Sequence, residues 1–302
     1  MVKKTPGAVT ERILLLGREE SCVYLLQGGD EYALVGGGMA YIIPDVLDQL
    51  RDFSVDEKKV RRVVILHSHF DHCGAAPYFK ERWPWARITA SRRAKELLST
   101  PRVAETIASM NRAIAAANGR EKRLGELGFE FGGLTIDEVV NDGDELALGD
   151  LTMRVLEVPG HSSCSIAVYV PGLKALFASD AGGIPFGNTV FTAANSNFDH
   201  YQQSLEKMSR CDVEVHCAEH YGAYTGEEGR NFMKRSIESA RETRAMLEES
   251  YRRWGDLKRS VEEITSLVVE SAPDYFLPRE VIAMVVGQMM GFIEKKMNPK
   301  KG

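Results

Sequence analysis

Residues 67–72 read HSHFDH, so three histidines and an aspartate crowd into six positions directly behind the apolar run VVIL at 63–66. The run reads as a buried strand. In extended backbone, residues two apart face the same way, so His67 and His69 address one point from the strand end. A turn at Phe70 then swings Asp71 and His72 toward a second, neighbouring point. Imidazoles and a carboxylate gathered at the end of an apolar strand need partners, and a bound metal supplies them for all four at once. Cys73 reads as a small packing residue, and Gly74 as a point of close helix approach.

Nitrogen ligands from one motif do not complete a site, and the rest must come from later in the chain. LEVPGHSSCS (156–165) offers His161 in a Pro-Gly turn just after a strand, and ALFASDAGG (175–183) ends a strand on Asp180. VEVHCAEHYGAYTG (213–226) offers two more histidines. His216 lies within the strand and is expected to pack or bond locally, whereas His220 in the loop beyond is the preferred ligand. His200 opens a helix that Asp199 would cap, and reads as a surface residue. The ligand sets are then His67, His69 and His161 for one ion, and Asp71, His72 and His220 for the other, with Asp180 shared. Imidazole and carboxylate without thiolate suit Zn²⁺, Fe or Mn. About three protein ligands per ion leave room for water, which marks a catalytic rather than a structural site. Asp71 can also orient or deprotonate that water.

Around these motifs, residues 1–226 alternate strands and helices, an α/β pattern. CVYLLQGGDEYALVGGG (22–38) reads as a hairpin turning at Gly28–Asp30, and IPDVLDQLRDF (43–53) as a helix. A helical insert occupies about residues 92–124, with Ser99 capping its second segment and Pro101 at the first position. Residues 227–302 form a C-terminal helical extension expected to cover the active-site side. A net charge of −5 gives no general attraction to nucleic acid. The five cysteines include no CxxC pair, as expected in a reducing compartment. The N-terminal apolar run is too short for a secretory signal, and VIAMVVGQMMGFI (281–293) is too short to span a bilayer. The expectation is a soluble cytoplasmic protein with no nucleic-acid or membrane partner, and the amphipathic tail is compatible with a homodimer.

HxHxDH at 67–72, the PGH histidine 161, the strand-terminal Asp180 and the late His220, in that order, resemble the metallo-β-lactamase superfamily. The resemblance implies an αββα sandwich with a dinuclear site at one edge of its two sheets, and hydrolysis by a metal-bridged hydroxide. HSHFDHCGAAPYFKERWPWARITAS (67–91), MNR (110–112) and the helical tail are similar, more closely, to the thioesterases of the bacterial alkylquinolone signal pathway, which act on aminobenzoylacetyl-CoA. Three positions depart from the pattern. Ser179 and Glu219 stand where glycine is usual, and Ile184 stands where those thioesterases place an acidic pocket residue.

A thioester suits such a site, because a thiolate leaves with little need of a general acid. Glu219, Tyr221 and Tyr224 are the candidate proton donors or substrate contacts, against the plainer reading of structural residues. Arg112, with Arg120, Lys122 and Arg123, is a candidate for CoA phosphates, against the plainer reading of a solvated helix face. Hydrolysis of a glutathione thioester in the manner of glyoxalase II, or lactone opening, is the near alternative. A regulatory, protein-interaction role with a dispensable metal site is the alternative of another class, and the complete ligand set speaks against it.

Overall fold

Strict alternation sets the architecture. Ile13, Leu15, Cys22, Tyr24 and Leu26 turn to one side of their strands, and Leu14, Leu16, Val23 and Leu25 to the other, with both sides buried. Strands apolar on both faces must sit between two other layers. The computed structural model, which describes residues 1–298, shows those layers as two seven-stranded sheets face to face with helices on both outer surfaces.

The first sheet runs in chain order: Gly7–Ala8, Ile13–Arg18, Ser21–Gly28, Glu31–Val35, Val60–Val64, Arg87–Ser91 and Glu138–Val140. From Glu31–Val35 onward its neighbours pair in parallel. The helices Ile43–Asp52 and Ala76–Arg82 make the first two crossovers that parallel pairing requires, and the helical insert makes the third. The second sheet is ordered Val2–Lys3, Ala223–Thr225, Val215–Cys217, Ala175–Phe177, Ile166–Val170, Leu151–Glu157 and Glu145–Leu148. Its inner face, including Met153, Val155, Val168 and Phe177, closes on Leu15, Tyr24 and Val64 of the first.

Two helical additions stand beside this core. In the insert, helices Arg92–Leu98, Pro101–Ala117 and Glu121–Gly125 lie on the first sheet's side. Pro101 opens its helix as expected, but Ser99 ends the preceding one and Thr100 is the N-cap, without a side-chain bond. Gly74 is a point of close approach to the insert. A Cβ there would lie 2.6 Å from Asn111 Oδ1, the same oxygen that accepts the Ala40 N–H at 2.9 Å. The tail forms helices Glu227–Trp254, Leu257–Ser271 and Arg279–Met297 over the second sheet, together with Phe198–Met208. That last helix is capped by Asn197, whose side chain accepts the His200 N–H, while Asp199 pairs with Arg244 and Lys296. Among the described residues no helix is long and apolar enough to cross a membrane. All five cysteines are unpaired.

Candidate metal centre

Strand ends carry the site. His67 and His69 follow Val60–Val64, and His69 is the N-cap of the one-turn helix Phe70–Cys73 that presents Asp71 and His72. His161 follows Leu151–Glu157 in the Pro-Gly turn, Asp180 lies in the 3-10 turn Ser179–Gly182 after Ala175–Phe177, and His220 lies between Val215–Cys217 and Ala223–Thr225. Both sheets thus deliver polar side chains to one rim, outside the carboxyl ends of the first sheet's parallel strands, as open α/β sheets commonly do.

Two clusters form there. His161 Nε2 lies 3.1 Å from His67 Nε2 and 2.9 Å from His69 Nδ1. His220 Nε2 lies 3.1 Å from His72 Nε2, with Asp71 Oδ2 at 3.5 Å and 3.4 Å from the two. Asp180 stands between the clusters. Its Oδ2 is 3.2 Å from His72 Nε2 and 3.5 Å from His161 Nε2, and its Oδ1 is 3.6 Å from His220 Nε2. His67, His72, His161, His220, Asp71 and Asp180 are all buried.

The outward ring nitrogens decide what the inward ones present. His161 Nδ1–H donates to the Ala193 carbonyl at 2.8 Å, and His220 Nδ1–H to that of Glu20 at 2.6 Å. His72 Nδ1–H donates to Glu219 Oε2 at 2.9 Å, and Ser179 Oγ lies 3.1 Å from His67 Nδ1. For neutral rings these bonds leave the Nε2 lone pairs facing inward. Lone pairs about 3 Å apart repel unless a cation lies between them. A tetrahedral ion about 2.0–2.1 Å from each nitrogen separates its ligands by about 3.3 Å, so the donor set fits.

Titration differs between the clusters. Burial, reinforced by neighbouring imidazoles, holds His67 well below its usual range and lowers His69 to about 4. Burial also lowers His161. Against burial, Asp180 and Asp71 raise His72 and His220, and those two rings in turn hold both carboxyls low. An ion binding the second cluster therefore competes with protons up to a higher pH than an ion binding the first.

The departures at 179 and 219 meet each other. Ser179 sits at φ +49, left-handed backbone that favours glycine. Its hydroxyl donates to Glu219 Oε2, the oxygen that also accepts from His72. One buried carboxylate thus orients a ring of the second cluster and, through Ser179, reaches a ring of the first.

Other expected positions fall elsewhere. Arg112 is exposed and paired with Glu130, away from the cavity. Arg123 bonds Asp45 and Asp48. Tyr224 lies on the outer face of its strand against Phe232, ring centroids 4.9 Å apart. Tyr221 packs into an aromatic cluster with Phe186 and Tyr275 rather than lining the cavity. His216 is buried and stacked on Phe232 at 3.7 Å, with no hydrogen-bond partner for either nitrogen, and His200 is exposed. Tyr275 and Phe276, which sequence reasoning did not select, line the cavity over the clusters. Phe276 stacks on the His220 ring at 5.0 Å. Burial, then the charge of Asp180, pushes the Tyr275 hydroxyl well up, so it stays protonated. The only hint of this pair is SAPDYFLPRE (271–280), an aromatic pair in a proline-flanked loop between apolar helices.

Residues 16–220 match the family described as the metallo-beta-lactamase superfamily. The chain belongs to that superfamily. A curated relative, the metallo-beta-lactamase fold-containing protein ST1585 of Sulfurisphaera tokodaii, is 26% identical over 198 residues, 63% of this chain and 68% of its own. The human acyl-coenzyme A thioesterase MBLAC2 is 24% identical over 195 residues, 62% of this chain and 66% of its own. Among solved structures, the metallo-beta-lactamase family protein TTHA1429 of Thermus thermophilus aligns with a TM-score of 0.66 at 19% identity, over 96% of this chain and 95% of that one, a likeness of fold.

Proposed function

We propose that the protein is a dinuclear metal-dependent hydrolase that cleaves acyl-CoA-type thioesters. The observation that carries the reading is the pair of ligand clusters sharing Asp180, with His69, Asp71, His161, Asp180 and His220 facing one large cavity. The similarity to an acyl-coenzyme A thioesterase supports the choice of substrate class.

His67, His69 and His161 would hold one ion and Asp71, His72 and His220 the other, with Asp180 between. Two such ions, Zn²⁺ or Fe with Mn as a third choice, supply an activated water and polarise the carbonyl to be attacked. The chain's own contribution is orientation. The carbonyls of Ala193 and Glu20 and the carboxylate of Glu219 fix three ring tautomers. Asp71, at the cavity face of the second cluster, is placed to accept the proton of the attacking water. A thiolate leaves without a dedicated acid, so no proton donor need be aimed at it.

The test is metal analysis of the purified protein, then a hydrolysis screen across acyl-CoAs, glutathione thioesters and lactones. About two ions per chain with acyl-CoA turnover is the expected result. Exclusive cleavage of glutathione thioesters or lactones would replace the thioester assignment while leaving the metal chemistry. Metal-free protein that still performs its cellular role would favour the interaction reading instead.

A further inference from the structure

Above the clusters lies a cavity of about 1080 Å³, just above the usual range for small-molecule sites. Its floor is His69, His161, Asp180 and His220, and its walls are mostly apolar, with polar side chains such as Thr106, Thr192 and Gln288 among them. The insert helix Pro101–Ala117 contributes Val103, Ile107 and Met110. The tail helices contribute Ile264 and Val268 from Leu257–Ser271, and Val285 and Met289 from Arg279–Met297. This last helix is apolar around much of its circumference. Ile282, Val286, Met289, Met290 and Ile293 are buried in the core over the second sheet, yet Val281, Met284 and Val285 also line the cavity. An apolar surface left facing empty space awaits an occupant. Leu267 and Met284, 46% and 54% exposed, are among the lining side chains most open to solvent.

We infer that this cavity holds the acyl group of the substrate, and that the acyl group is a long, uncharged hydrocarbon chain. The inference rests on the thioesterase reading above. Continuity with the ligand clusters puts one end of the occupant at the reacting carbonyl. Among the described residues the lining offers one basic side chain apart from histidine, the exposed Arg102, whereas Glu242 adds a negative charge beyond Asp71 and Asp180. With Asp71 and Asp180 committed to the ions, Arg102 and Glu242 balance, so the walls carry no net positive charge to hold an acyl group ending in a carboxylate. Flexible methionines in the wall, Met110, Met246, Met284 and Met289, suit chains of several lengths rather than one rigid ring system.

The test is kcat/KM of the metal-loaded enzyme across acetyl-, butyryl-, octanoyl-, lauroyl- and palmitoyl-CoA. A fully buried methylene is worth up to about fourfold, so octanoyl-CoA is expected to exceed butyryl-CoA by about tenfold or more. A profile that is flat or falls beyond butyryl-CoA overturns the inference while leaving the thioesterase reading intact. Calorimetric binding of the unreactive thioethers S-dodecyl-CoA and S-ethyl-CoA to metal-free protein separates the two in the other direction. Tighter binding of the dodecyl compound, by about tenfold or more, supports the apolar pocket even if no thioester is cleaved, and equal affinity overturns it. Narrowing the cavity with Val285→Trp is expected to move the chain-length optimum to shorter acyl groups; an unmoved optimum counts against the inference.

Discussion

Removing the carboxylate behind His72 tests how far this chain's departures from its family serve the metal. Glu219 Oε2 accepts from His72 Nδ1 at 2.9 Å and from the Ser179 hydroxyl, in a fully enclosed setting. A hydrogen bond to a charged group contributes about 1.5–3 kcal/mol, which corresponds to roughly 10- to 150-fold in an equilibrium constant. Loss of an outer partner of a metal-bound histidine typically lowers metal affinity by about 10–100-fold, and the two scales agree. Glu219→Ala is therefore expected to weaken the ion held by Asp71, His72 and His220 by about 10–100-fold. The ion held by His67, His69 and His161 should change less, because His161 and His69 do not contact Glu219. Glu219→Gln keeps an acceptor but loses the charge, and should fall between Ala and wild type. The assay is zinc titration against a competing chelating dye, resolving two successive affinities, with circular dichroism to check the fold. If Glu219→Ala binds both ions with wild-type affinity, Glu219 is a packing residue and the argument from its hydrogen bonds fails.

Asp180→Ala removes the carboxylate common to both clusters, so metal content should fall at both positions and hydrolysis should drop to background; retained turnover would refute the shared site. His216 has its pKa lowered to about 3 by burial, from an ordinary 6.5. Between those values the unfolded chain binds a proton that the folded one refuses, so stability is lost as pH falls below 6.5. From pH 6.5 to 5 this group should cost about 2 kcal/mol, and His216→Phe should remove that part of the pH slope in urea unfolding; an unchanged slope would refute it. Arg112→Ala should leave kcat/KM for acyl-CoAs unchanged and shift stability by no more than about 0.5 kcal/mol, since its partner Glu130 is also on the surface; a fall in kcat/KM would return Arg112 to the substrate site.

What the sequence disclosed followed from local rules. The double burial of strands such as ILLLGR is visible as an unbroken apolar run, and HSHFDH carries its geometry within six residues. Distant groups were legible where a polar residue ends an apolar strand, as at His161 and Asp180. Tyr224 is a candidate by residue type alone, and strand alternation decides its side. Ala223 faces the interior between the sheets, so its neighbour Tyr224 must face outward, away from the cavity. Arg112 shows what charge cannot tell, because a basic residue on a helix does not announce which side the helix will expose. Tyr275 and Phe276 reach the clusters only through the packing of three tail helices, and no spacing in the chain encodes that.

The division of the site between the sheets has a mechanical consequence. His67, His69, Asp71 and His72 belong to the first half of the sandwich, and His161, Asp180 and His220 to the second. Each cluster draws from both halves, so a bound ion would act as a rivet across the seam. Binding to the folded chain alone stabilises it by about 2.7 kcal/mol at a hundredfold excess over Kd. Chelation should therefore loosen the rim where the halves meet before it disturbs the outer helices, and hydrogen exchange would show amides near residues 66–72 and 178–182 losing protection first. On the proposed reading, the chemistry and the joinery of this protein share the same seven side chains.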